Sequence, residues 1–141
     1  MNQQHKAAIA VYDKILQQNP SQLVALNNYV SVVADYETDS KVLKDAYTRA
    51  QKLKAAGVPQ FADSLGWISY RVEKFDEAEQ QLNQAISKLP DNATFHYHLG
   101  KVYLAKKDLT KAKASLEKAL SLSKSQDQTL ATEIAELLKT V

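Results

Sequence analysis

The chain has 141 residues, 45% hydrophobic and 24% charged, with a formal charge of +2, which suits one soluble domain burying roughly 70% of its unfolded surface. So small a charge, with lysines spread among aspartates and glutamates, gives no argument for a nucleic-acid partner, and the absence of cysteine excludes disulfides and thiolate metal sites. No apolar run approaches the roughly 20 residues that cross a bilayer, and the start MNQQHKAAIA has no charged leader before an apolar segment, so neither membrane insertion nor a signal peptide is expected of it.

Three glycines and three prolines among abundant Ala, Leu, Lys and Gln predict an almost entirely helical, all-α chain. The first predicted helix is AAIAVYDKILQQNP, with Ala8, Tyr12 and Ile15 at helical spacing ahead of Pro20. LVALNNYVSVVADY follows, then ETDSKV, expected as a lengthened turn in which Asp39 or Ser40 caps the next helix. YTRAQKLKAAGVP supplies Ala46, Ala50 and Leu53. SLGWISYRVEKFDEAEQQLNQAISKLP and HLGKVYLAKKDLTKAKASLEKAL each read as a pair of helices. Asn92 between them fits a glycosylation sequon, but its position after Pro90 suits a helix cap better. QDQTLATEIAELLKTV is amphipathic, with Leu130, Ile134, Leu137 and Leu138 on one stripe and Glu133, Glu136 and Lys139 off it.

The two helix pairs are copies of one another. Leu65 and Leu99 are 34 residues apart, as are Gly66 and Gly100, Ala78 and Ala112, Leu82 and Leu116, and Ala85 and Ala119. A glycine inside a helix costs about 1 kcal/mol relative to alanine. Its recurrence makes sense where a second helix, small at Ala78 or Ala112, crosses closely.

The spacing resembles the tetratricopeptide repeat (TPR) family, whose pattern is Leu-Gly, Tyr three residues after the Gly, then Ala-x-x-x-Phe and a later Pro. Leu99, Gly100, Tyr103, Ala112, Leu116 and Ala119 match it. So do Leu65, Gly66, Ala78, Leu82, Ala85 and Pro90, with Ser69 in place of the tyrosine. Ala62 and His96 stand where the family often has Trp. The resemblance implies a right-handed superhelical solenoid of helix hairpins, divided as 1–22 (second helix of a truncated repeat), 23–58 (a repeat with a longer turn), 59–92, 93–126 and 127–141 (a capping helix). It implies a protein-interaction scaffold without catalysis or cofactor, in a segment of a longer protein. An architectural or targeting arm of an envelope-biosynthesis enzyme is the alternative.

In such hairpins the side of the first helix turned away from its mate lines the inner wall of the superhelix. At 100° per residue, Leu65, Gly66 and Ser69 fall on the packed side and Asp63, Trp67, Tyr70 and Arg71 on the other. The same projection selects Asn27, Ser31 and Asp35 in the repeat before, and Tyr97 and Lys101 in the repeat after. These residues, with Asn28, are the expected partner-binding set, because Trp, Tyr and Arg dominate binding hot spots. A purely structural reading stands beside this one: Trp67 fills the gap toward Asn27–Ser31 or Tyr97–Lys101.

Chaperone-binding TPR domains grip a C-terminal carboxylate with Lys, Asn and Arg on successive inner helices. Here that lysine and arginine are missing and Asp63 repels a carboxylate. The asparagine ladder of the O-GlcNAc transferase arm has one rung, Asn28, with Ser64 and His98 at the next two. The whole run is similar to TPR scaffolds of Gram-negative bacteria, some in the envelope, which makes the periplasm the expected compartment and the cytoplasm the alternative. His96 and His98 point about 200° apart on a helix, so no shared metal is expected. No zinc-protease, phosphate-loop or nucleophile-elbow motif occurs. Asp76 and Glu77 suit a helix N-terminus. The lysines around Lys106, Lys111 and Lys118 read as a solvated face. The apolar face of Ala8, Tyr12 and Ile15 is a candidate homodimer contact.

Overall fold

A computed structural model describes residues 1–141. Its helices are α1 (Gln3–Gln18), α2 (Leu23–Tyr36), α3 (Ser40–Ala50), α4 (Pro59–Arg71), α5 (Phe75–Lys88), α6 (Ala93–Ala105), α7 (Leu109–Gln126) and α8 (Gln128–Leu138), with a 3-10 segment, Gln51–Ala56, extending α3. Each helix packs on the next in sequence, and α2, α4 and α6 also touch in that order. This is a solenoid of stacked hairpins, in which each unit buries its apolar face on its neighbours.

Short polar side chains set where the helices begin. Asp39 caps α3, accepting from the Lys41 amide at 2.9 Å, so the cap is the aspartate rather than Ser40. Asn92 caps α6 through the Phe95 amide at 3.2 Å, the role expected of it. Helix α4 has no side-chain cap and opens on Pro59, whose missing N–H leaves one fewer amide to satisfy.

The hairpins close through the recurrent small residues. A Cβ on Gly66 would lie 2.9 Å from Leu82 Cγ, and one on Gly100 2.7 Å from Leu116 Cγ, so both glycines are required by the approach of the second helix. Ala78, Leu82, Ala112 and Leu116 are fully buried around them. The turns inside these two hairpins also repeat: Glu73 and Lys107 have φ of 64° and 62°. After each, an amide bonds back five residues, Lys74 to the Ser69 carbonyl at 2.8 Å and Asp108 to that of Tyr103 at 3.0 Å. That is the Schellman ending of a helix, in which the left-handed residue is usually glycine.

The lengthened turn expected at ETDSKV is not a loop. Only Glu37, Thr38 and Asp39 lie between α2 and α3, as Val72, Glu73 and Lys74 do between α4 and α5. The extra residues are helical: α3 begins six residues before Ala46, whereas α5 begins three before Ala78. The Asp39 cap starts α3 a turn early.

A contiguous core runs from Leu16 of α1 through Leu26, Val30 and Val33 of α2 to Leu43, Leu53 and Ile68. Tyr12 packs against it, so of the expected face Ala8, Tyr12 and Ile15 it is Ile15 (36% exposed) that α1 leaves open, together with Val11 (57%); Val24 of α2 is exposed as well (59%).

Candidate functional site: the inner wall

The inner wall is built from α2, α4, α6 and α8, and side chains bind each of these helices to the next. From α4, the Trp67 indole N–H donates to Asp35 Oδ1 of α2 at 2.8 Å. The Arg71 guanidinium reaches two carbonyls at the end of the same helix, those of Ala34 and of Glu37, the latter at 2.7 Å. Those carbonyls lack helical partners, and a cation is favoured at that end of the helix dipole. Between α4 and α6, Asp63 Oδ1 lies 2.7 Å from His98 Nδ1, and the His98 ring stacks on Trp67 with centroids 3.9 Å apart. Between α6 and α8, the Tyr97 hydroxyl donates to Glu133 Oε1 at 3.4 Å.

Trp67 therefore sits between three repeats. Tyr70, one turn on, stacks parallel to it at 4.7 Å, His98 covers its other neighbourhood, and only 9% of its surface is exposed. A side chain so enclosed contributes mainly by packing.

Of the residues expected to contact a partner, the structure brings Asp35, Asp63, Trp67 and Tyr70 into one hydrogen-bonded and stacked cluster with His98. Arg71 bonds instead to the end of α2, and Tyr97 tilts toward Trp67 at 6.4 Å. Asp35 remains exposed, while Ser31, Asn27, Asn28, Tyr97 and Lys101 are half-buried. The Asn27 side-chain oxygen is enclosed without a hydrogen-bond partner. An open cavity of about 410 Å³ lies along this wall, lined by Asp35, Trp67 and Tyr97 together with Tyr36, Thr94, His98, Asp127 and Glu133.

Tyr36, Asp127 and Glu133 were not identifiable as wall residues from repeat spacing. Tyr36 ends α2 and Asp127 caps α8, while α8 lacks the Leu-Gly marker that anchors a projection. His98 and His96 part company as expected from their angle: His96 Nε2 meets the Pro90 carbonyl at 2.7 Å. The Tyr97 hydroxyl is pushed up to about 12, first by burial and then by the Glu133 carboxylate beside it. On the outer side, Lys106 pairs with Asp76 at 2.7 Å and Glu79 at 2.8 Å, which accounts for one of the clustered lysines.

Stacked helix hairpins with a laterally bonded inner wall define a helical-repeat solenoid. Residues 64–127 match the model of the tetratricopeptide repeat family. The chain is 34% identical over 86 residues to a TPR repeat-containing protein of Pseudomonas aeruginosa, an alignment covering 61% of this chain and 14% of that protein. The chain thus spans a small part of that relative's length. Among solved structures, it resembles MamA (residues 41 to the end) from Desulfovibrio magneticus RS-1, with TM-score 0.68 and 23% identity over 88% of this chain and 69% of that one. It also resembles PcrH, solved in complex with the chaperone-binding region of PopB, with TM-score 0.66 and 17% identity over 79% of this chain and 94% of that one.

Proposed function

We propose that this chain is a non-catalytic protein-interaction module that holds an extended segment or a helix of a partner protein along the inner wall of α2, α4, α6 and α8. The observation that carries the reading is the open cavity of about 410 Å³ on that wall, lined by Trp67 and Tyr97 together with the carboxylates of Asp35, Asp127 and Glu133. Aromatic surface beside polar groups is what protein recognition uses. The PcrH complex shows that a protein of this fold accepts a segment of another protein. Within the wall, Asp35, Ser31, Tyr97, Lys101, Asn27 and Asn28 offer contacts, while Asp63, Trp67, Tyr70 and Arg71 hold the geometry that presents them.

The test is selection of binders from a random displayed-peptide library, followed by amide and indole chemical-shift mapping on the labelled protein. Shifts at Ser31, Asp35, Trp67, Tyr97 and Lys101 are expected. Shifts confined to the outer helices α5 and α7 would overturn the reading.

Self-association is a second reading, favoured by the exposed apolar side chains of Val11 and Ile15 on α1 and Val24 on α2. A second copy covering them removes apolar surface from water. Sedimentation should show concentration-dependent dimers that Val11→Asp and Val24→Asp abolish. A monomer at every concentration would refute it.

A further inference from the structure

We infer that the inner-wall groove selects a cationic segment, taking lysine or arginine side chains of an extended protein partner. This rests on the inner-wall reading above and names the chemistry of its ligand. The groove has three acidic side chains, Asp35, Asp127 and Glu133, and neither Lys nor Arg among its lining residues, in a chain whose formal charge is +2. Lys101, one turn beyond Tyr97, lies outside that lining.

Each of the three carboxylates has one oxygen engaged: Asp35 Oδ1 by the Trp67 indole, Asp127 Oδ1 by the Leu130 amide, and Glu133 Oε1 by the Tyr97 hydroxyl. The second oxygens have no hydrogen-bond partner in the protein. None of the three acids is in an ion pair, whereas the acids on the outer helices include Asp45, Asp76, Glu79 and Glu117, all paired with lysine or arginine. The acidic groups are therefore held in place by neutral donors and keep their charge directed outward. Tyr36, Tyr97 and Trp67 line the same opening, with one face of Tyr36 stacked on His5. Aromatic faces attract guanidinium and ammonium groups, and unpaired carboxylates beside them supply the charge-assisted hydrogen bonds. A carboxylate-terminated or acidic segment meets repulsion here.

The three engaged oxygens make a clean test possible, because Asp35→Asn, Asp127→Asn and Glu133→Gln each remove a charge and retain the acceptor. The probes are a fluorescein-labelled lysine decapeptide and its glutamate counterpart, read by anisotropy in low salt. The lysine peptide is expected to bind and to shift the Trp67 indole resonance. The triple variant should weaken it by about tenfold or more. A control neutralising acids on the outer helices, Asp45→Asn/Glu77→Gln/Glu117→Gln, should change it little. Equal weakening by both variants, equal binding of the glutamate peptide, or no lysine-peptide binding overturns the inference. If library-selected peptides that are neutral or acidic still shift Trp67, only the cationic preference fails. If they map to α5 and α7, the inner-wall reading fails as well.

Discussion

The indole N–H of Trp67 donates to the carboxylate of Asp35 at 2.8 Å, joining α4 to the end of α2. The residue that most resembles a ligand anchor is thus also a strut between repeats. Trp67→Phe should cost about 1–2 kcal/mol by losing the hydrogen bond and part of the stack, and Trp67→Ala about 3–5 kcal/mol. Asp35→Ala should cost about 1–3 kcal/mol in the wild type, where it strands a buried donor, and less in the Trp67→Phe background. Urea unfolding of the double-mutant cycle measures the coupling. Additive effects would show that the bond contributes nothing.

Arg71 closes the end of α2 rather than presenting a free guanidinium. Arg71→Met should destabilise by about 1–3 kcal/mol, because the carbonyls of Ala34 and Glu37 lose charged donors. Hydrogen exchange should quicken first in the last turn of α2. Unchanged exchange there would contradict the capping role.

Gly100→Ala tests which local force prevails. Helix propensity favours alanine by about 1 kcal/mol, but its Cβ would meet Leu116 Cγ at 2.7 Å, and forcing the helices apart costs about 1–3 kcal/mol. A net loss in thermal midpoint is expected. A gain would mean that α7 moves freely away from α6.

Lys107 and Glu73 occupy the left-handed region with φ of 62° and 64°. Lys107→Gly and Glu73→Gly should each raise stability by up to about 1 kcal/mol, since the Cβ strain relieved outweighs the added freedom of the unfolded chain. Chemical denaturation checks this. Destabilisation at both sites would show that the turn is not strained.

Burial and the neighbouring carboxylate of Glu133 raise the Tyr97 hydroxyl to about 12, and Tyr47 reaches about 12 chiefly by donating to Glu77. Between about 10 and about 12 the unfolded chain releases these protons while the native state keeps them, so stability must fall as pH rises through that window. Tyrosinate absorbance should show late-titrating groups, and Glu133→Gln should move Tyr97 back toward its ordinary value. Insensitivity to that substitution would remove Glu133 as a cause.

Much of the hairpin geometry was legible because it is local. The offset from Leu65-Gly66 to Leu99-Gly100 identified the crossing points, and Asn92 was readable as a cap from its position before a helix. The strained turns at Glu73 and Lys107 were not, since neither residue type signals a left-handed backbone. The extra turn of α3 was also hidden: ETDSKV contains loop-forming residues, and where α3 begins depends on which of them caps.

The wall itself shows the same division. An angle of 100° per residue places Trp67, Tyr70 and Arg71 opposite Leu65, so the sequence by itself determined the helical repeat, the closing faces of its hairpins and the side on which these residues emerge. Only the tertiary structure decided what they meet there: His98 and Asp35 against Trp67, two helix-end carbonyls against Arg71, and three carboxylates around the remaining opening. Helical periodicity is a property of one segment. The reach of a side chain across to the next hairpin depends on how successive hairpins lean on one another, and that arises from packing the whole stack.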